Sequence, residues 1–166
     1  MVFRNPQRRK KGYDYAQNGY YFITICTKYR YPWFGKILDG NVVLSNCGTI
    51  VKNQWEWLAK QHKYVRLDEF VVMPDHFHAV LQIDNDTVRE HWVDAVRERH
   101  LQPHTQSHHK TAGRIIGAFK TTSSKMIHIT GHSLFSWQRS FHDRIIRNDI
   151  ELYKIRAYIR NNPSKG

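Results

Sequence analysis

Two short apolar runs, Phe70-Val71-Val72-Met73 and Ala79-Val80-Leu81-Gln82-Ile83, stand close together in the chain with Pro74-Asp75 between them. This pair constrains the fold more than any other stretch. Both runs are rich in strand-forming residues, and a proline cannot donate to a ladder, so the chain breaks there and the runs are expected to pair antiparallel. A further run, Tyr21-Phe22-Ile23-Thr24-Ile25-Cys26-Thr27, is bounded by Gly19 and Tyr31-Pro32 and predicts another strand. Val42-Val43-Leu44 and Leu134-Phe135-Ser136-Trp137-Gln138 are shorter strand signals, following Gly40-Asn41 and Gly131.

Helical spacing fills the intervals. Ser45 or Asn46 can cap a helix whose Ile50, Val51, Trp55 and Leu58 share one face. After Gly113, residues 114 to 129 place Ile115, Ile116, Phe119, Ser123 and Met126 on one side and Arg114, Thr121 and Lys125 on the other. Asn148 followed three residues later by Glu151 is a capping-box signal, and the helix it opens is expected to run to about Asn162, where Pro163 stops it. The order of elements predicts an α+β fold, a ferredoxin-like antiparallel sheet with helices on one face, closed by a C-terminal helix.

The length, 166 residues, fits one domain spanning 1–166, within which residues 1–18 read as a basic arm and 84–110 as a surface insertion. The insertion holds His91, His100, His104, His108 and His109 at irregular spacing in a polar stretch, which reads as a solvated loop rather than a metal site. A net charge of +12 rests on a chain with 13% aromatic residues, so the charge belongs to a folded body. Such a surface suits a polyanion, and interleaved aromatics favour single-stranded nucleic acid over lipid headgroups. The longest apolar run, Tyr20 to Cys26, is far below the roughly 20 residues of a membrane span. With no secretory segment and two unpaired cysteines, Cys26 and Cys47, a cytoplasmic protein without membrane association is expected.

His76-Phe77-His78 is the first group able to do chemistry. With the two-residue period of a strand, both imidazoles leave one face, Cα atoms about 6.6 Å apart, while Phe77 enters the opposite layer. Two such histidines can share a divalent metal and leave positions open for other ligands. Two polar residues on a solvated sheet face explain the pattern equally well. On the C-terminal helix, Leu152, Ile155 and Ile159 form the apolar stripe, Tyr158 lies at its edge, and Asn162 follows one turn later. Spacing alone leaves Tyr153 and Tyr13 with equal claims to a chemical role.

Four ordered blocks single one out. Phe70-Val71-Val72-Met73-Pro74-Asp75-His76-Phe77-His78, Gly113-Arg114-Ile115-Ile116-Gly117-Ala118-Phe119-Lys120, Trp137 through Asn148, and Tyr158-Ile159-Arg160-Asn161-Asn162-Pro163 resemble, in order, the blocks of single-tyrosine HUH transposases. The branch they resemble most is the REP-associated tyrosine transposases. The resemblance implies that His76 and His78 bind Mg²⁺ or Mn²⁺, that Asn162 is the third ligand where related enzymes commonly carry glutamine, and that Tyr158 on the C-terminal helix is the nucleophile. The implied reaction cuts and rejoins single-stranded DNA at hairpin or palindromic ends through a 5′-phosphotyrosine link. Related transposases act as homodimers, whereas the REP-associated branch can be monomeric. Expected phosphate contacts are Arg4, Arg8, Arg9, Lys10 and Lys11 of the arm with Arg114, Lys120 and Lys125 of the second long helix, and Tyr13, Tyr15, Trp33, Trp55 or Trp57 are the candidates for base stacking. The competing expectation is a basic module that binds single-stranded or hairpin nucleic acid without turnover.

Overall fold

A computed structural model describes residues 18–84 and 111–163. The basic arm and residues 85–110 of the expected insertion lie outside them, so Arg4, Arg8, Arg9, Lys10, Lys11, Tyr13 and Tyr15 are not placed. The elements, in chain order, are β1 (Gly19–Cys26), β2 (Gly35–Leu38), β3 (Asn41–Leu44), α1 (Asn46–Gln61), β4 (Val65–Val72), β5 (His76–Ile83), α2 (Ala112–Ile129), β6 (His142–Ile146) and α3 (Asp149–Arg160). Among the described residues no helix is long and apolar enough to cross a membrane.

The fold is α+β, built on a four-stranded sheet in the order β4-β5-β1-β6 in which every neighbouring pair is antiparallel. As expected, β4 and β5 are hydrogen-bonded neighbours joined through Pro74-Asp75. The period of two sorts their side chains between two cores. Tyr21, Ile23, Ile25, Phe77, Ala79, Leu81 and Ile83 pack under α1 and α2 with Trp55, Leu58, Ile115, Ile116 and Phe119. Phe22 and Val80 face the other way and pack with Leu152, Ile155 and Ile159 of α3, joined by Ile146. Two helices thus cover one face, and α3 lies alone on the other.

Local chemistry sets the helix ends. Ser45 Oγ, rather than Asn46, caps α1 by accepting from the Gly48 amide at 3.1 Å. Thr111 caps α2. At α3 a variant of the expected capping box forms: Asn148 Oδ1 accepts from the Glu151 amide at 2.8 Å, but Glu151 Oε2 reaches past the N-cap amide to accept from that of Arg147 at 3.0 Å. The helix ends at Arg160, with Asn161 as C-cap, so Asn162 lies in the turn beyond it.

Two expectations need correction. The stretch 134–138 does not form a strand; it contributes a single bridge, Trp137 to Thr27, and its aromatic residues serve the core, where Trp137 Nε1 donates to the fully buried Ser123 Oγ at 3.0 Å. The edge strand is instead β6, whose alternating His142-Asp143-Arg144-Ile145-Ile146 pairs with β1. The second departure is the β2–β3 hairpin, of which the sequence pattern predicts only the Val42–Leu44 half. Its turn is Asp39-Gly40, with φ of 50° and 71°, the left-handed pair of a tight hairpin turn.

A bulge interrupts β4. Leu67 pairs with Leu81 and Phe70 with Ala79, so Asp68 and Glu69 together stand opposite the single residue Val80 of β5. In a regular strand Asp68 and Glu69 would point to opposite faces. With the extra residue, both carboxylates turn toward α3, where each meets an arginine.

Candidate active site

Placing α3 on the sheet brings Tyr158 to the histidines. Apolar docking comes from Leu152, Ile155 and Ile159, each buried. At the β4 edge, two arginines one helical turn apart meet the two bulge acids. Arg156 Nε lies 2.9 and 3.2 Å from the Asp68 carboxylate oxygens and Arg156 Nη2 closes the fork, while Arg160 reaches Glu69 Oε1 at 2.9 Å through Nε and 2.7 Å through Nη2. These contacts fix the rotation and height of the helix, and with them the edge residue Tyr158.

His76 and His78 leave the same face of β5, as the strand period requires, and their ring centroids are 4.7 Å apart. Phe77 enters the opposite core against Trp55 and Phe119. Each imidazole has its Nδ1 engaged. His76 Nδ1 is 2.6 Å from Asp75 Oδ1. His78 Nδ1 is 2.8 Å from the hydroxyl of Thr24, its cross-strand partner in the β1–β5 register. The Nε2 atoms are the ones left for a ligand. Tyr158 Oη lies 3.4 Å from His78 Nε2, and Phe22 packs against both rings, stacked on His78 and edge-on to Tyr158. Burial drives the His78 pKa down to about 3, helped by the nearby charges of His76 and Arg30 and opposed by a hydrogen bond with the Ile23 backbone. Burial also lowers that of His76, although the Asp75 hydrogen bond and charge pull it upward. Both rings are therefore neutral near pH 7, the form in which imidazole donates to a metal.

Asp75 is itself held. Arg30 Nε meets Asp75 Oδ2 at 2.8 Å, and Thr27 donates to the Asp75 carbonyl through its amide at 2.9 Å and its hydroxyl at 3.0 Å. Arg30 follows Tyr29 in a tight turn in which both residues are left-handed, with φ of 58° and 59°. Two consecutive non-glycine residues there cost roughly 1–2 kcal/mol each.

Among the described residues no group of three or more His, Cys, Asp or Glu side chains is gathered to hold a metal. A cation here would instead use two imidazoles and a neutral oxygen donor. Asn162, in the turn just past α3, carries a carboxamide whose nitrogen is buried without a hydrogen-bond partner, and the nitrogen and oxygen ends of such a group exchange by a simple flip. Two imidazole nitrogens on a divalent cation leave positions open for oxygen donors, phosphate oxygens among them.

The other expected residues are dispersed. Arg114 and Lys125 are exposed, but on α2, which covers the sheet face opposite the histidines. Lys120 is half-buried, and its ammonium donates to the carbonyls of Gln138 at 2.6 Å and Arg139 at 3.1 Å, so it pins that loop. Trp55 is fully buried and Trp33 half-buried, leaving Trp57 as the exposed one of the three. Tyr153 is 72% exposed and turns away on α3, whereas Tyr158 is half-buried beside His78. Sequence reasoning passed over Thr24, Arg30, Asp75, Asp68 and Arg156. Only Asp75 carried a signal, its position next to His76; the others require the strand register and the bulge.

No protein-family model matches the chain. An uncharacterized protein of Haemophilus influenzae Rd is 34% identical over 155 residues, covering 93% of this chain and 86% of the relative. Among solved structures, a REP-associated tyrosine transposase bound to a REP hairpin superposes with a TM-score of 0.59 at 17% identity, over 95% of this chain and 74% of that one. A proposed transposase from Deinococcus radiodurans superposes with a TM-score of 0.51 at 18% identity, over 93% and 96%. At these identities the two structures establish a shared, transposase-like fold.

Proposed function

We propose that this chain, which belongs to one family with the Haemophilus influenzae protein, is a metal-dependent DNA strand transferase of the single-tyrosine HUH kind, acting on single-stranded DNA beside hairpins. The observation that carries the reading is the approach of Tyr158 Oη to 3.4 Å from His78 Nε2, made by residues eighty positions apart on two elements. The fold shared with a hairpin-bound tyrosine transposase supports it, and so does the net charge of +12.

His76 and His78 would hold Mg²⁺ or Mn²⁺ through their Nε2 atoms, with Asn162 supplying a carboxamide oxygen. When bound, such a cation supplies neutralisation of the anionic oxygens that otherwise repel a nucleophile. The protein's own residues do the rest. Phe22 and the α3 arginines hold the Tyr158 ring so that Oη points at His78. Tyr158 Oη attacks phosphorus, the bond to the 3′ oxygen breaks, and the proton lost by the phenol balances the one gained by the departing 3′-hydroxyl. The phosphotyrosine keeps the broken bond's energy, and the 3′-hydroxyl of another strand reverses the step. The arm residues Arg4 and Arg8 to Lys11, with exposed Arg114 and Lys125, would supply sequence-independent phosphate contacts.

The test is incubation with single-stranded oligonucleotides carrying a hairpin, with Mn²⁺ or with EDTA, followed by denaturing electrophoresis. The expected products are a free 3′-hydroxyl fragment and a protein-linked 5′ end, both dependent on the metal. Hairpin binding with no cleavage under any divalent metal would instead mark a non-catalytic binding module. A free 5′-phosphate with no linkage would mark a hydrolase.

A further inference from the structure

Resting on that reading, we propose that Arg30 is a positioning residue which acts through Asp75 to hold His76 with Nδ1 protonated and Nε2 bare toward the bound cation. A carboxylate only accepts, so the 2.6 Å contact between Asp75 Oδ1 and His76 Nδ1 forms only if Nδ1 carries the proton. That leaves Nε2 unprotonated, the atom a metal needs. Asp75 could rotate away to water, because about a fifth of its side chain is exposed, 22%. Arg30 prevents this. Its Nε takes Oδ2 at 2.8 Å, so the two carboxylate oxygens are divided between guanidinium and imidazole.

The arginine is aimed rather than merely nearby. Its Nη1 donates to Cys26 Sγ at 2.9 Å, and Cys26 is the cross-strand partner of His76. Arg30 therefore spans the two residues that flank His76, one in sequence and one in register. The Thr27 hydroxyl lies 2.8 Å from the Tyr31 carbonyl and 3.0 Å from the Asp75 carbonyl, sharing its one proton between them, while its amide donates to the Asp75 carbonyl and fixes the turn to the start of β5. Delivering the guanidinium there takes two successive left-handed residues, Tyr29 and Arg30, a conformation side chains other than glycine adopt at a cost. Tyr29 makes no use of the turn for burial, since it is 88% exposed. The contact that the strained turn serves is Arg30 to Asp75. His78 has no such carboxylate: its Nδ1 meets a threonine hydroxyl, which donates or accepts, and the Ile23 backbone is its further hydrogen-bond partner.

The test compares the full chain with Arg30→Gln, Asp75→Ala and the double variant. In metal-free protein, long-range imidazole ¹⁵N spectra are expected to show His76 as one Nδ1-protonated tautomer in the parent. Asp75→Ala should give a mixture, Arg30→Gln a smaller shift in the same direction, and the double variant no more than Asp75→Ala alone. Mn²⁺ affinity by calorimetry should fall roughly 10–100-fold for Asp75→Ala, less for Arg30→Gln, with the same lack of additivity. Arg30→Lys, which keeps charge but loses the fork, should rescue only in part. Metal-free hairpin binding should stay near the parent's, and melting temperature should fall by no more than the roughly 2–8 °C of a lost, partly exposed ion pair. Unchanged His76 resonances in Arg30→Gln overturn the proposal, and so does additive loss in the double variant. A tenfold loss of metal-free hairpin binding with the tautomer intact would make Arg30 a DNA contact instead. Should the parent bind no Mn²⁺, the metal reading of the site fails, while the tautomer spectra still decide whether Arg30 acts on His76.

Discussion

Replacing Arg156 with alanine should loosen α3 without unfolding the protein. An exposed ion pair contributes about 0–1 kcal/mol and hydrogen bonds to a charged group about 1.5–3 kcal/mol. Asp68 is 14% and Arg156 35% exposed at the side chain, and the fork is bidentate, so discounting for solvent leaves about 1–2 kcal/mol. The three buried aliphatic residues of the stripe contribute about 1.5–3 kcal/mol each and keep the helix docked. For a chain of this size Arg156→Ala should therefore lower Tm by about 2–8 °C, with a comparable loss for Asp68→Ala. Urea titration of both singles and the double should return a coupling of about 1–2 kcal/mol at pH 7. The pH dependence has a definite sign. Burial pushes the Asp68 carboxyl up, but the Arg156 hydrogen bonds, the Glu69 amide and the charges of Arg156 and Arg160 outweigh it, and the folded pKa lies below the ordinary value. Stability from a depressed carboxyl is fully present above the unfolded pKa of about 3.9 and is lost as pH falls through the folded one, so the coupling should disappear in acid below the depressed folded value. A coupling under about 0.5 kcal/mol at pH 7, or one that persists undiminished in acid, would refute this account of how α3 is held.

Gly48→Ala should destabilise by about 1–3 kcal/mol, because an ideal Cβ would come within 2.2 Å of the Phe34 carbonyl, which also accepts from the Ser45 amide at the helix cap; chemical denaturation reads it. Ser123→Ala should cost about 1–3 kcal/mol by stranding Trp137 Nε1 in the core, with a change in tryptophan fluorescence at the same midpoint shift. Thr24→Val should weaken Mn²⁺ binding measured by calorimetry and destabilise by about 1–3 kcal/mol, since the buried His78 Nδ1 loses its hydroxyl partner. His78→Ala should abolish cleavage in the oligonucleotide assay, and retained low-salt hairpin binding would separate that loss from unfolding.

The legible parts of this fold were those written in local pattern. Strand periodicity put His76 and His78 on one face and Phe77 on the other, and the capping box of Asn148 and Glu151 located α3. What stayed hidden depends on pairings that no window of sequence contains. The bulge at Asp68 and Glu69 exists only in the register of β4 against β5, and it is what turns two adjacent acids toward one helix. Thr24 becomes a partner of His78 only when β1 is aligned with β5. The aromatic run at 134–138 carries a strand's composition but is consumed by the core, whereas charged His142-Asp143-Arg144 makes an edge strand because an edge tolerates polar side chains on both sides. The Asp39-Gly40 turn was readable in principle, since that dipeptide is a hairpin signal.

The central claim is that Tyr158 attacks phosphorus beside the two histidines, and peptide mapping tests it most directly. After reaction with a hairpin oligonucleotide and Mn²⁺, nuclease trimming and proteolysis, tandem mass spectrometry should place the phosphonucleotide on Tyr158, and Tyr158→Phe should give no adduct although it binds the same DNA. An adduct on Tyr153 or another residue, or one formed equally well by Tyr158→Phe, would contradict the account.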